Sequence, residues 1–157
     1  CQVLGKVGGH DIARLINLVE KALAAKAWAT REGDDDPDIT KAKIAIHPPL
    51  LEGAVIELGR LGDPKAIPIL IKVANSKADR GRAEAILALG AFDDRDAKDT
   101  IIAALDDAKD GWVRHCAYIA AKKLSAQDNF CDWMFGANSE RKVPIEKYRA
   151  WLETQAK

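Results

Sequence analysis

The feature that most constrains this chain is a near-repetition of its own text. Residues 54–74, AVIELGRLGDPKAIPILIKVA, align with residues 85–105, AILALGAFDDRDAKDTIIAAL. Leu58-Gly59 falls on Leu89-Gly90, a shift of 31 residues, and Leu61, Asp63 and Ala66 fall on Phe92, Asp94 and Ala97. YIAAKKLSAQD at 118–128 is a third, degenerate copy in which Leu124 follows Phe92 by 32. VLGKVGGHDIARLINLV at 3–19 is another, with Gly5, Val7 and Gly8 in the places of Gly59, Leu61 and Gly62. From Gly5 to Gly59 there is one period plus an insertion of about 23 residues, and the tract from Trp28 to Pro49 accounts for it. A unit this short cannot bury its own apolar faces, so neighbouring copies must stack into one continuous core.

Each copy spells a helical hairpin. Leu51, Ala54, Val55, Leu58 and Leu61 recur at helical spacing. Gly62 suits the left-handed position that closes a helix, where a Cβ is penalised. Asp63 then serves as N-cap, and Pro64 fills the first helical position, whose amide has no partner within the helix. Pro68, close to the first turn, is tolerable there. A glycine inside a helix costs about 1 kcal/mol against alanine, so Gly59 needs a reason, and we expect it to let the two helices approach closely. The spacing predicts helices at 11–27, 49–61, 64–75, 79–90, 95–107 and 111–124, and a last helix starting at Pro144 with Ile145, Tyr148 and Trp151/Leu152 on one apolar stripe. Trp28–Pro49 and Gln127–Val143 are the long connections. The whole is an all-α domain, 1–157: an α-solenoid of about 3–4 stacked hairpins, with an inserted loop at 28–49 and a C-terminal loop and capping helix at 126–157. Trp151 is expected to pack with Ile145 and Tyr148 on the last hairpin.

Charge narrows the function. Lys and Arg number 24 and so do Asp and Glu, for a formal net charge of zero, whereas a nucleic-acid binder usually carries a basic excess on the domain or one face. No apolar run reaches the length of a transmembrane helix. The start, CQVLGKVGG, lacks the charged and apolar regions of a signal peptide, and the sequence does not separate cytoplasmic from extracytoplasmic residence. Three cysteines, Cys1, Cys116 and Cys131, are too few for a disulfide framework. A Cys116–Cys131 bridge stays open if the tail folds back.

The pattern A-x-x-x-LG-x-LGDP-x-AIP-x-L resembles the HEAT-repeat superfamily, and in particular its short phycobilisome-lyase-like subtype, over roughly residues 1–125. The tail LSAQDNFCDWMFG…IEKYRAWLE is similar to the closing segment of some such proteins. The resemblance implies an α-solenoid. Its members include scaffolds, chaperones and a few enzymes, so it implies function only loosely. It also makes the chain a candidate fragment or processed product, since it begins inside what should be a repeat's first helix. Cys1 is expected to mark a processing boundary, with the lipid-bearing first residue of a mature lipoprotein as the alternative reading.

Chemistry-bearing constellations are sparse. Asp34, Asp36 and Asp38 alternate like calcium-loop ligands, but Ile39 and Ala45 stand where an EF-hand needs Gly and Glu. A solvated acidic loop is the default reading. His115, Cys116, Cys131, His10 and His47 lack structural-zinc spacing, and no nucleophile, metal-helix or phosphate-loop motif occurs. We expect no catalytic residues, no metal and no cofactor, and a small-molecule ligand is not indicated. The His-Glu pairs of the superfamily's hydroxylases are missing: His10, His47 and His115 precede Asp11, Pro48 and Cys116. The expected role is a non-enzymatic module that binds another protein or a larger complex. Second helices line the concave face in such stacks, which nominates Arg14, Asn17, Lys65, Lys72, Lys98 and Asp99. The insertion is not needed to close the stack, which nominates Trp28, Ile44 and Ile46, with Asp34, Asp35 and Asp36 steering a basic surface. The alternative, implied by the resemblance alone, is a bilin lyase or chromophore-handling chaperone.

Overall fold

The computed structural model describes residues 12–29, 48–76, 81–107, 110–125 and 138–155. They form seven α-helices: α1 (Ile12–Ala29), α2 (Pro48–Leu61), α3 (Ile67–Ala74, entered through a 3-10 turn at Pro64–Ala66), α4 (Arg82–Leu89), α5 (Arg95–Leu105), α6 (Gly111–Ser125) and α7 (Asn138–Gln155). No strand occurs among the described residues. Two layers run side by side. Helices α2, α4 and α6 stack in the first; α1, α3, α5 and α7 stack in the second. The main contacts between layers join α1 to α2, α3 to α4 and α5 to α6, with a lesser one between α4 and α5, so each second helix leans chiefly on the first helix of the next hairpin. This is an all-α helical-repeat solenoid, and α1 is the second helix of the copy that precedes α2.

The core lies between the layers. Val19, Val55, Leu58, Leu70, Val73, Ile86, Leu89, Ile101, Leu105 and Val113 are all buried, each worth about 1.5–3 kcal/mol relative to exposure. The hairpin punctuation works as its residue types require. Gly62 has φ +66° and its N–H donates to the Leu58 carbonyl at 3.3 Å. Asp63 Oδ1 accepts from the Lys65 amide at 2.9 Å, and Asp94, one period later, accepts from the Ala97 amide at 3.0 Å. The run DDRD at 93–96 is thus turn and N-cap.

Several boundaries differ from the sequence expectation. The expected helix 64–75 starts as a 3-10 turn because Pro68 has no N–H to give the Pro64 carbonyl; the Ile67 N–H takes it instead. The helix expected from 79 begins at Arg82, since Gly81 holds φ +88°, outside the helical region. Helix α1 runs on to Ala29, so Trp28 is helical and not part of a loop, and α2 begins at Pro48. The last helix starts at Asn138 rather than Pro144. A proline there forfeits one intrahelical hydrogen bond, while Asn138-Ser139 supply residue types that open helices.

Gly59 has a purpose different from closing its own hairpin. A Cβ built on it would sit 2.6 Å from Ala88 Cβ and 2.9 Å from Ala88 Cα, on α4. Gly90 meets Ala120 on α6 at 2.8 and 2.9 Å in the same way. The Leu-Gly pairs therefore set the approach of successive first helices, one repeat against the next. Arginines at matching positions, 32 apart, tie the hairpins at their ends. Arg82 Nε donates to the Ala74 carbonyl at 3.1 Å and its Nη2 to Asp107 Oδ2 at 2.7 Å. Arg114 Nη1 donates to the Asp107 carbonyl at 2.6 Å. Asp107 Oδ1 in turn accepts from the Asp110 amide at 2.9 Å.

Candidate functional site

The nominated second-helix residues do fall in one layer. Arg14 and Asn17 are exposed on α1 and, with Ala13, Leu18 and Lys21, line an open hollow along it. Lys65 and Lys72 are exposed beside and on α3, and Asp99 is exposed on α5. Two of the set already have local partners: Asp99 accepts from Arg95 Nε at 3.2 Å, and Lys98, its side chain only 12 % exposed, is paired with Asp93. Arg14, Asn17, Lys72, Lys98 and Asp99 thus belong to helices of the second layer and Lys65 to the 3-10 turn leading into α3, with their charges mixed. Asp34, Asp35, Asp36, Ile44 and Ile46 lie outside the described residues, as do the candidate calcium spacing and Cys1, Cys131, His10 and His47. Trp28 lies on α1, and its side chain is likewise outside the description.

Sequence reasoning missed the opposite layer. Ile56 on α2, Leu87 on α4 and Ile119 on α6 are 49 %, 40 % and 38 % exposed, and Trp112 at the start of α6 is 59 % exposed. The first three stand 31 and 32 residues apart, so they occupy one position of the repeat. The stacking makes them a row: each lies three residues before, or one before, the close contacts Gly59–Ala88 and Gly90–Ala120. Both contacts join C-terminal parts of their helices, so α2, α4 and α6 run the same way. Adjacent helix axes about 8–10 Å apart give the row a length of about 16–20 Å. The usable signal was the repeat offset itself, applied to exposed rather than buried positions.

Polar residues flank the row asymmetrically. About one turn toward the helix N-termini come Glu52, Glu84 and His115, all partly exposed; one turn toward the C-termini come Arg60, Ala91 and Lys123, all exposed. One edge is thus largely acidic and the other basic. Arg60 clasps Glu57 through Nε at 2.8 Å and Nη2 at 2.6 Å, and that bond and charge push its guanidinium further up from its ordinary value. Trp112 stacks on His115, with ring centroids 5.2 Å apart and 25° between planes.

Two buried titratable groups elsewhere, Cys116 and Tyr148, serve packing. Cys116 is a free, buried thiol beneath this face. Burial first, then the charges of Glu84 and Asp110, push it up to about 11, so it is no thiolate nucleophile near neutrality. Tyr148 is buried, pushed up by burial to about 12, and its hydroxyl donates to the Ala121 carbonyl at 3.3 Å. Trp151 is only partly buried, tilted on Tyr148 at 5.2 Å between centroids. Tyr148, more than Trp151, therefore fastens α7. Among the described residues, no cluster of three His, Cys, Asp or Glu side chains converges as metal ligands would, and no helix is long and apolar enough to cross a membrane.

Fold and surface together define the class: a helical-repeat solenoid presenting regular outer faces. Residues 47–122 match the family model for HEAT repeats, a segment that runs from α2 into α6. That segment is therefore similar to HEAT repeats at large, and the match does not extend to the phycobilisome-lyase-like subtype. No curated protein matches the chain.

Proposed function

We propose that the protein is a non-enzymatic interaction module, a short α-solenoid that scaffolds a protein partner or a larger assembly. The observation that carries this reading is the apolar row Ile56–Leu87–Ile119, held in register on the first-helix layer. Scattered exposed apolar side chains are ordinary on any protein surface, but three at one repeat position, on helices locked together at Gly59 and Gly90, form a rigid and ordered strip. Contacts on rigid elements lose less conformational entropy on binding. The inserted segment, with Trp28, Ile44, Ile46 and the acidic Asp34, Asp35 and Asp36, is proposed as a second contact that adds specificity. The second-helix set Arg14, Asn17, Lys65, Lys72, Lys98 and Asp99 is proposed as a polar rim.

The test is affinity capture from the native lysate with three baits: the natural chain, Leu87→Arg, and a chain in which 30–42 is replaced by a short Gly/Ser linker. A partner retained in stoichiometric yield by the first and lost by the second is the expected result. A third bait that falls short of the natural chain mainly at low salt, with the difference closing as salt rises, would assign steering to the acidic segment. Equal yields from all three baits would refute the reading, and a tetrapyrrole absorption band on the purified chain would replace it with the chromophore-handling one.

A further inference from the structure

We infer that the first-helix face docks on a second copy of this chain, across a two-fold axis that runs along the Ile56–Leu87–Ile119 row. The inference rests on the interaction reading above and names its occupant. Two identical faces meet about a two-fold axis lying in the plane between them, and the charge pattern of this face discriminates between the directions that axis can take.

If the axis runs along the row, helix directions reverse across the interface while repeat order is kept. Then α2 meets α2, α4 meets α4 and α6 meets α6 of the second copy. Ile56, Leu87 and Ile119 each meet their own counterparts. The acidic edge of one copy lies over the basic edge of the other. Glu52 faces Arg60, whose exposed guanidinium uses Nε and one terminal nitrogen on Glu57 and has donors left over. Glu84 faces Ala91, within diagonal reach of Arg60 and Lys123. Lys123 comes over the stacked Trp112–His115 pair, where an ammonium is attracted to an indole face.

If the axis instead runs parallel to the helices, α2 faces α6 and like edges meet. Arg60 then opposes Lys123, and Glu84 opposes Glu84. Like-charge juxtaposition of this kind suppresses an arrangement. Of these two directions, only the first sets the acidic edge over the basic edge. Four partly exposed side chains with a charged rim fall short of the ~800 Å² per partner of a standard-size stable interface. The pair is accordingly weak, at the micromolar end of the affinity range or beyond.

The experiment is sedimentation equilibrium of the purified full chain from about 5 to 300 µM at low salt, a range that covers micromolar affinities. The expected result is a mass rising toward the dimer. Leu87→Arg and, separately, Ile119→Arg should weaken association at least about tenfold with unchanged thermal melts, since both positions are exposed. Ile56→Cys should cross-link to itself under mild oxidation beyond the background of the natural cysteines. A monomer throughout the range overturns the inference, and so does association indifferent to Leu87→Arg. Cross-linking of Ile56→Cys only to Ile119→Cys in a mixture of the two variants overturns the axis. A monomeric chain whose lysate partner still depends on Leu87 sinks the self-docking alone; a monomeric chain whose captures ignore Leu87 sinks the interaction reading as well.

Discussion

Gly59→Ala is the sharpest probe of how the repeats are held together. The added methyl would sit 2.6 Å from Ala88 Cβ and 2.9 Å from its Cα, while carbon atoms rest at about 3.5–4.0 Å. Neither contact can be relieved by a rotamer, because alanine has none and the other atom is backbone. Helices α2 and α4 must therefore part by about 1 Å, which loosens Val55, Leu58 and Leu89, all fully buried nearby. Overpacking of this kind costs about 1–3 kcal/mol, and alanine returns up to about 1 kcal/mol of helix propensity. The net expectation is a loss of about 1–2 kcal/mol, or a Tm lower by about 2–8 °C for a chain of this size. Ala88→Gly in the same background moves the methyl across the interface and should recover part of that loss. Thermal and urea unfolding followed by circular dichroism measure both variants. A Gly59→Ala protein that melts at or above the natural chain would refute the close-approach argument, because propensity alone would then be in control.

Three further outcomes follow from the structure. Gly62→Val should cost about 1–3 kcal/mol through backbone strain alone, since nothing lies within 4 Å of its missing Cβ; Gly62→Asn, better suited to a left-handed cap, should melt higher than Gly62→Val. Tyr148→Phe should lose about 0.5–1.5 kcal/mol with the bond to the Ala121 carbonyl, whereas Tyr148→Ala, by emptying a buried site, should lose about 3–5 kcal/mol; equal melts for the two would mean that α7 is not fastened there. Alkaline stability should fall in steps: the folded state keeps the Cys116 proton up to about 11 against 9.0 for the ordinary thiol, so this contribution is whole below pH 9.0 and is lost as pH rises toward 11, with Tyr148 adding a decline between 10.0 and about 12. Melts between neutral pH and 11 should show the first step in the natural chain and not in Cys116→Ala.

The sequence alone determined the local grammar of this protein. Whether a residue can take positive φ, cap a helix or lack an amide is a property of its own covalent structure, so Gly62, Asp63, Pro64 and Asp94 announced the hairpins and their 31-residue step. The same text placed the buried stripe of Ile145 and Tyr148, because burial follows helical periodicity. Tertiary structure decided what those elements meet. Gly59 could be recognised as a close-approach residue, but only the stack shows that the neighbour is Ala88 of the next repeat, since a one-dimensional pattern carries no partner. The start of α7 at Asn138 escaped a rule that reads proline as a helix opening, because a helix with enough packing elsewhere tolerates one missing bond. The row of Ile56, Leu87 and Ile119 escaped for a related reason: each residue reads as one more apolar member of a helix, and which side of that helix is left uncovered depends on where every other helix has been placed.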